Sequence, residues 1–307
     1  MRKINQSSVR EFILLGFGDL HSLRYLFFLF FLIIYLMVLT ANVLVIILAL
    51  YNKTLHSPMY FFLSHLSLCE IFFTMIMVPN MLRIVLSGGG TMSVTGCKGQ
   101  LCLFCVPTIA QCLLLAAMSF DRYAAICKPL HYMSIMNFRL QLQIVISCWA
   151  LGFFMSVLIF ASVNELQFCR SNIINHFCWD IVPIMELSCS DTFSVELVTS
   201  LISVLVVLSP FLFIIITYIS IIVTILKIPS RSGRQKTFST CSSHLSVVCM
   251  YYGTLISIYI YPPGKHYLNV NKMFSLLYVV VTPLFNPIIY SLRNQDFRRV
   301  ITQTLHR

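Results

Sequence analysis

The polar groups of this chain that could do chemistry are few, and they sit among apolar neighbours. Asn42, Glu70 and Asn286 each interrupt a long hydrophobic stretch. Burying an amide or a carboxylate in hydrocarbon costs several kcal/mol unless it finds a partner. Such groups therefore either serve a function or hold helices together, and in one bundle the three could converge on a hydrated interior network. A second constellation, Met118-Ser119-Phe120-Asp121-Arg122-Tyr123, closes the third apolar stretch. An arginine there could simply snorkel toward water, but the adjacent Asp121 favours a switchable ion pair. Hydrolytic or transfer chemistry finds no support. The 8 His are scattered, and no His-Glu-x-x-His pair, nucleophile elbow or phosphate loop occurs. No enzyme activity, metal or cofactor is expected.

The 12 Cys divide by position. Cys69, Cys102, Cys105, Cys112, Cys127, Cys148, Cys241 and Cys249 lie within apolar stretches or at their ends, where thiols behave as small apolar residues. Cys97, Cys169, Cys178 and Cys189 lie outside them. Four thiols in an oxidising compartment allow three pairings, and spacing alone does not choose among them.

The elements that must position these residues follow from composition. Of 307 residues, 58% are apolar and 10% charged, against roughly 25% charged in soluble domains. A chain like this cannot cover its surface with polar groups, so lipid is its solvent. Apolar segments run over about 25–51, 58–86, 99–126, 140–163, 193–226, 238–261 and 273–292. Each is long enough to cross about 30 Å of hydrocarbon as a helix. They are continuous rather than alternating, which excludes a β-barrel. The first is too long for a signal peptide's apolar core, and no small-residue cleavage site follows it. No internal repeat or soluble domain interrupts the series. The expectation is an all-α membrane protein, a single seven-transmembrane helix bundle over 1–307.

Seven spans put the termini on opposite sides. With a cytosolic C-terminus, 12 of the 21 basic residues lie inside, a modest positive-inside bias that sharpens after spans five and seven. One sequon, Asn5-Gln6-Ser7, lies in the N-terminal tail, and another, Asn52-Lys53-Thr54, lies in the first loop. Only one can face the lumen, and an extracellular N-terminus with glycan on Asn5 is expected. The net charge of +11 is placed to meet anionic lipid rather than nucleic acid. From Cys97 to Arg122 the third span rises roughly 37 Å, so Arg122 reaches the cytosolic interface. Pro210, Gly253, Pro283 and Pro287 punctuate the later spans. Interior prolines bend a helix, and in lipid that requires neighbours to repair the lost hydrogen bond.

Five segments in order resemble the odorant receptor family of rhodopsin-like G-protein-coupled receptors, and together they cover essentially the whole chain. They are the sequon followed by Glu11-Phe12-Ile13-Leu14-Leu15-Gly16; Leu55-His56-Ser57-Pro58-Met59-Tyr60-Phe61-Phe62-Leu63-Ser64; and Met118 through Cys127 with Pro129-Leu130-His131-Tyr132. Lys236-Thr237-Phe238-Ser239-Thr240-Cys241-Ser242-Ser243-His244-Leu245 and Asn286-Pro287-Ile288-Ile289-Tyr290-Ser291-Leu292-Arg293-Asn294 complete the set. The resemblance implies a ligand pocket in the outer half and a stimulatory G protein at the inner face, raising cAMP. It assigns Asp121, Arg122 and Tyr123 to the activation switch, Tyr218 and Tyr290 to stabilising the active state, and Asn42, Glu70 and Asn286 to the interior network. It also implies Cys97 bridged to Cys178 in the second outer loop, and a Cys169–Cys189 bond. The chain departs from the family pattern at several points. Ala41 stands where Gly is usual, Glu70 where Asp is commoner, and Gln111 where Glu is frequent. Cys178 stands one residue early, which bears on its pairing with Cys97.

Two absences narrow the ligand. Val280 stands where opsins carry their retinal-linking lysine, and Phe104 where amine receptors carry an aspartate. Phe104, Cys105, Thr108 and Ile109 share one helical face. By family analogy they meet Ile202, Ser203 and Val206 of span five and Tyr252, Leu255, Ile256 and Tyr259 of span six. Such a pocket would be apolar with a few hydroxyls, suited to a small volatile molecule. The alternatives are a rhodopsin-like receptor for an endogenous lipid or metabolite, and a transporter or channel. The last needs a polar path or broken repeated halves, and only Glu70 lies acidic and deep in a span.

Overall fold

In hydrocarbon every backbone N–H and C=O must be satisfied within its own segment, so each apolar stretch closes on itself as a helix. The computed structural model describes residues 9–18, 21–169, 172–174, 176, 184–185, 187–260, 268–293, 297, 299–300 and 302, with the side chains of 236, 239–240, 259–260, 268–271 and 290–293 excepted. Among these, 7 helices are long and apolar enough to cross a membrane. They are α1 (Leu23–Tyr51), α2 (Pro58–Ser87), α3 (Val94–Cys127), α4 (Phe138–Asn164), α5 (Phe193–Leu226), α6 (Arg231–Ile260) and α7 (268–293).

Local sequence sets the helix ends. Pro58 starts α2 at a position where its missing N–H costs nothing. Gly88 ends that helix in the left-handed region at φ 70°. The Ser93 and Asn137 side chains cap α3 and α4, accepting from Gly96 N at 3.1 Å and Leu140 N at 2.9 Å. Spans five and seven are each interrupted by a π-helical turn, Val204–Leu208 and Leu277–Val281. Each ends two residues before a proline, Pro210 and Pro283. A proline has no N–H and its ring collides with the carbonyl four residues back, here Val206 and Val279. Widening the turn around that carbonyl relieves the collision.

α3 runs through the middle of the bundle, packing on α2, α4 and α5, and is buried along its length from Cys97 to Ala124. It comes close to α4 at Gly152, where a Cβ would stand 2.7 Å from the Val106 carbonyl oxygen. The outward faces are apolar: Leu26, Phe30, Ile33 and Met37 of α1 are exposed, the reverse of a soluble helix. At the end of the bundle that holds the N-terminus, three short strands form a sheet ordered β2-β1-β3. They are β1 (Glu11–Leu14), β2 (Gly90–Ser93) and β3 (Ile173–Ile174). β1 runs antiparallel to β2 and parallel to β3.

Candidate functional site

Nearest the N-terminal face, most of the residues expected to line a pocket are buried in the bundle. Phe104, Cys105, Ile109, Ile202, Val206, Tyr252 and Leu255 are buried, and Thr108 and Ile256 partly so. Ser203 differs: it is exposed, turned away from the Ile202 and Val206 face. The Tyr259 side chain lies outside the described residues. Thr108 is fully engaged. Its hydroxyl donates to the Phe104 carbonyl at 2.9 Å and accepts from the Tyr278 hydroxyl at 3.3 Å. Its own carbonyl accepts from the Tyr251 hydroxyl at 2.8 Å. Tyr252 donates to the Cys112 carbonyl at 3.1 Å. Three tyrosines of α6 and α7 are thus tied to α3, and sequence reasoning missed Tyr251 and Tyr278. A signal was available, since a tyrosine hydroxyl inside a span must find a partner.

Of the three polar residues expected to converge, Glu70 and Asn286 are bonded to each other, and Asn42 reaches the α7 backbone instead. Asn286 donates to a Glu70 carboxylate oxygen. Asn42 donates to the carbonyls of Val38 at 3.0 Å and Pro283 at 3.3 Å, joining α1 to α7. Gln111 of α3 lies within electrostatic reach of Glu70. All four are buried, yet Asn42 Oδ1, Asn286 Oδ1 and Gln111 Nε2 make no hydrogen bond to the protein. An unpaired buried amide atom costs about 1–3 kcal/mol, so the protein leaves this group of amides incompletely satisfied. Among the described residues no group of His, Cys, Asp and Glu is arranged to hold a metal.

At the opposite face the Asp121-Arg122 pair is formed. Asp121 is fully buried, and one carboxylate oxygen accepts from Arg122 Nε at 3.1 Å and Nη2 at 2.7 Å. Its other oxygen accepts from the Tyr132 hydroxyl at 2.8 Å. Tyr132 opens the short helical turn Tyr132–Ile135 that follows α3, and sequence reasoning gave it no role. Burial and then the Asp121 carboxylate push its phenol above the ordinary value, so it remains a donor at neutral pH. Tyr123 is partly buried beside the Lys128 ammonium, 6.0 Å from its ring centre. Tyr218 of α5 is hydrogen-bonded to His244 Nδ1 of α6 at 2.7 Å, and their rings stack at 5.8 Å. Arg122 is within electrostatic reach of both His244 and Cys241. α3, α5 and α6 therefore meet around one arginine. The Tyr290 side chain lies outside the described residues.

The expected Cys169–Cys189 disulfide is present at the N-terminal face, spanning 20 residues. Cys97 is a buried free thiol, and its expected partner Cys178 lies outside the described residues, as does Asn5.

The olfactory receptor family model matches residues 31–307. Human olfactory receptor 11L1 is 43% identical over 307 residues, covering 100% of this chain and 95% of the relative. Rat olfactory receptor 226 is 41% identical over 309 residues, covering 99% and 94%. Squid rhodopsin superposes with a TM-score of 0.74 over 92% of this chain and 80% of its own, at 15% identity. That likeness carries the fold alone. With the family matched along nearly the whole chain and a rhodopsin-like bundle of seven spans, this multi-pass membrane protein is a signalling receptor that belongs to the olfactory receptor family.

Proposed function

We propose that the chain is an odorant receptor that binds a small, mostly apolar molecule in the half of the bundle nearest the N-terminus. Binding there activates a stimulatory G protein at the opposite face and raises cAMP. Family membership over the full length carries the coarse reading. The observation that carries the finer one is the buried Asp121–Arg122 pair, with Tyr132 on one side and the Tyr218–His244 pair near the other. An ion pair within α3, set where α5 and α6 pack against it, is an element with two arrangements, and a ligand can bias which one is populated. In this reading Asp121, Arg122 and Tyr123 form the switch, and Tyr218 and Tyr290 hold the active arrangement. Asn42, Glu70 and Asn286 form the hydrated hinge between them and the ligand.

The ligand site would use Phe104, Cys105, Ile109, Ile202, Val206, Leu255 and Ile256, with Tyr252 and Thr108 as its polar members. A volatile molecule burying about 200–250 Å² gains roughly 5–6 kcal/mol, a dissociation constant near 0.1 mM before ordering costs. Binding is weak and broad. The N-terminus faces outward in this reading, because the Cys169–Cys189 bond at that end belongs in an oxidising compartment. The whole chain forms one receptor domain in the plasma membrane, surrounded by lipid. The G protein would meet the loop after α3, where Leu130 and Met133 are exposed beside a depression of about 510 Å³ lined by Cys127, Lys128 and His131. A cAMP reporter in cells expressing the receptor, challenged with a diverse odorant panel, tests the reading. Ligand-dependent cAMP supports it; a response through another second messenger alone would refute the stimulatory coupling.

A further inference from the structure

The segment 9–17 crosses the N-terminal face of the bundle and is fastened at every step. Toward the second outer loop, Val9 N donates to Phe168 O at 3.2 Å, Ile13 N to Asn172 O at 2.7 Å, Leu15 N to Ile174 O at 3.0 Å and Gly16 N to His176 O at 3.2 Å. On its other edge Phe12 faces Met92 and Leu14 faces Gly90 in the β1–β2 register. The inward side chains of this strand, Phe12 and Leu14, are fully buried, and Phe12 meets the Phe168 ring edge-on at 5.0 Å. Beyond the strand, Gly16 turns at φ 60°, so close to α2 that a Cβ would stand 2.7 Å from Ile84 Cγ2. The Lys272 ammonium of α7 donates to the Gly16 carbonyl at 2.9 Å, and Phe17 stacks with Phe31 of α1 at 6.0 Å. One strap therefore ties α1, α2, α7 and two loops together, and opening it would break a parallel and an antiparallel pairing at once.

The flank of the bundle is looser. The first part of α5, Phe193–Ser203, packs on α4, and the π turn after it packs on α3; contact with α6 is made chiefly by the later part, Ser209–Leu226. Ser203, Val204 and Leu205 are exposed on this part of α5, and on α6 a Cβ added at Gly253 would meet open space. An apolar ligand concentrates in the bilayer that bathes this flank. We propose that the strap is a roof that stays shut, and that the ligand reaches its site from the lipid, between the N-terminal-face halves of α5 and α6. The inference rests on the ligand site proposed above.

The test has arms that do not depend on each other. In receptor reconstituted in lipid nanodiscs, a cysteine from Phe12→Cys should react with a membrane-impermeant maleimide about 100-fold more slowly than one from the exposed Glu11→Cys. Amide exchange at Phe12–Leu15 of the unaltered receptor should be equally protected, which covers a Phe12→Cys variant that fails to fold. Comparable labelling rates with fast exchange would overturn the roof. For entry, Ile13 and Thr91 face one another across β1 and β2, so Ile13→Cys with Thr91→Cys allows the strap to be locked by oxidation. The probe is a panel of aliphatic alcohols, aldehydes and ketones, with the parent receptor as redox control. Locking should leave onset rate and half-maximal dose within about twofold, whereas a large loss reversed by reductant would mean that ligand enters through the roof. Ser203→Trp should slow onset, and Leu26→Trp on the lipid face of α1 should not; equal effects would refute the α5–α6 route. A panel that elicits nothing from the parent receptor would count against the odorant reading, and the labelling arm would still decide the roof.

Discussion

Thr108 carries the one hydroxyl on the α3 face expected to meet ligand, and in the structure that hydroxyl is taken on both sides, by the Phe104 carbonyl and by Tyr278. It joins α3 to α7 in this arrangement, and a polar ligand would have to compete with Tyr278 to reach it. Thr108→Val leaves the shape and strips Tyr278 of its acceptor; Tyr278→Phe removes the other half. A double-mutant cycle on thermal stability should give a coupling of about 0.5–1.5 kcal/mol, one hydrogen bond between helices. Additive losses would mean the two residues do not touch. At the other face, Tyr132→Phe removes one of two holds on the Asp121 carboxylate. Basal cAMP should rise about three- to tenfold, the equivalent of roughly 0.5–1.5 kcal/mol in the switch. Because the Tyr132 phenol is shifted upward, it donates throughout the neutral range, and the effect of the substitution should be flat with pH there. Unchanged basal cAMP at equal surface expression would remove Tyr132 from the switch.

Among the elements, two glycines make opposite predictions. Gly152 of α4 lies against the α3 backbone, whereas Gly253 of α6 faces open space. Gly152→Ala should force α3 and α4 apart and cost about 1–3 kcal/mol. Gly253→Ala should be neutral or stabilise by up to about 1 kcal/mol through helix propensity. Melting temperatures of the purified variants decide this, and equal shifts would contradict the packing described for α4. The spans themselves were legible because a hydrocarbon-crossing helix needs about 20 apolar residues in a row, and nothing else in the chain resembles that. The start of α6 was not: it begins at Arg231, well before the apolar stretch at 238, because hydropathy is blind to a helix that continues into water. The prolines at 210 and 283 announced a distortion, but not that a π turn would absorb it. Strand β1 was hidden for a different reason. Glu11-Phe12-Ile13-Leu14 has alternating burial, but its partners lie about 80 and 160 residues away, and four residues are too few for a periodicity to stand out. Of the polar residues, Asn42, Glu70 and Asn286 were legible by their cost in lipid; their company with Gln111, and the tyrosine ties to α3, depend on helix rotation that spacing does not set.

For the whole molecule, the orientation and the coupling between its ends are the two claims at stake. If the N-terminus is outside, Asn5→Gln should abolish a glycosidase-sensitive mobility shift and Asn52→Gln should leave it; the reverse would invert the receptor. Coupling is the stronger claim. Phe104 and Arg122 are 18 residues apart on α3, so roughly 27 Å separates the proposed ligand site from the switch. No small odorant spans that distance, and the signal must pass as a change in packing among α3, α5 and α6. The measurement that bears most directly on this is cAMP production by Arg122→Ala beside the parent receptor, with the most potent odorant of the panel, at matched surface expression and with binding measured in the same membranes. The structure predicts that ligand-dependent cAMP falls to baseline while binding of the odorant persists; an Arg122→Ala receptor that still raises cAMP on odorant addition would contradict the assignment of Arg122 as the switch.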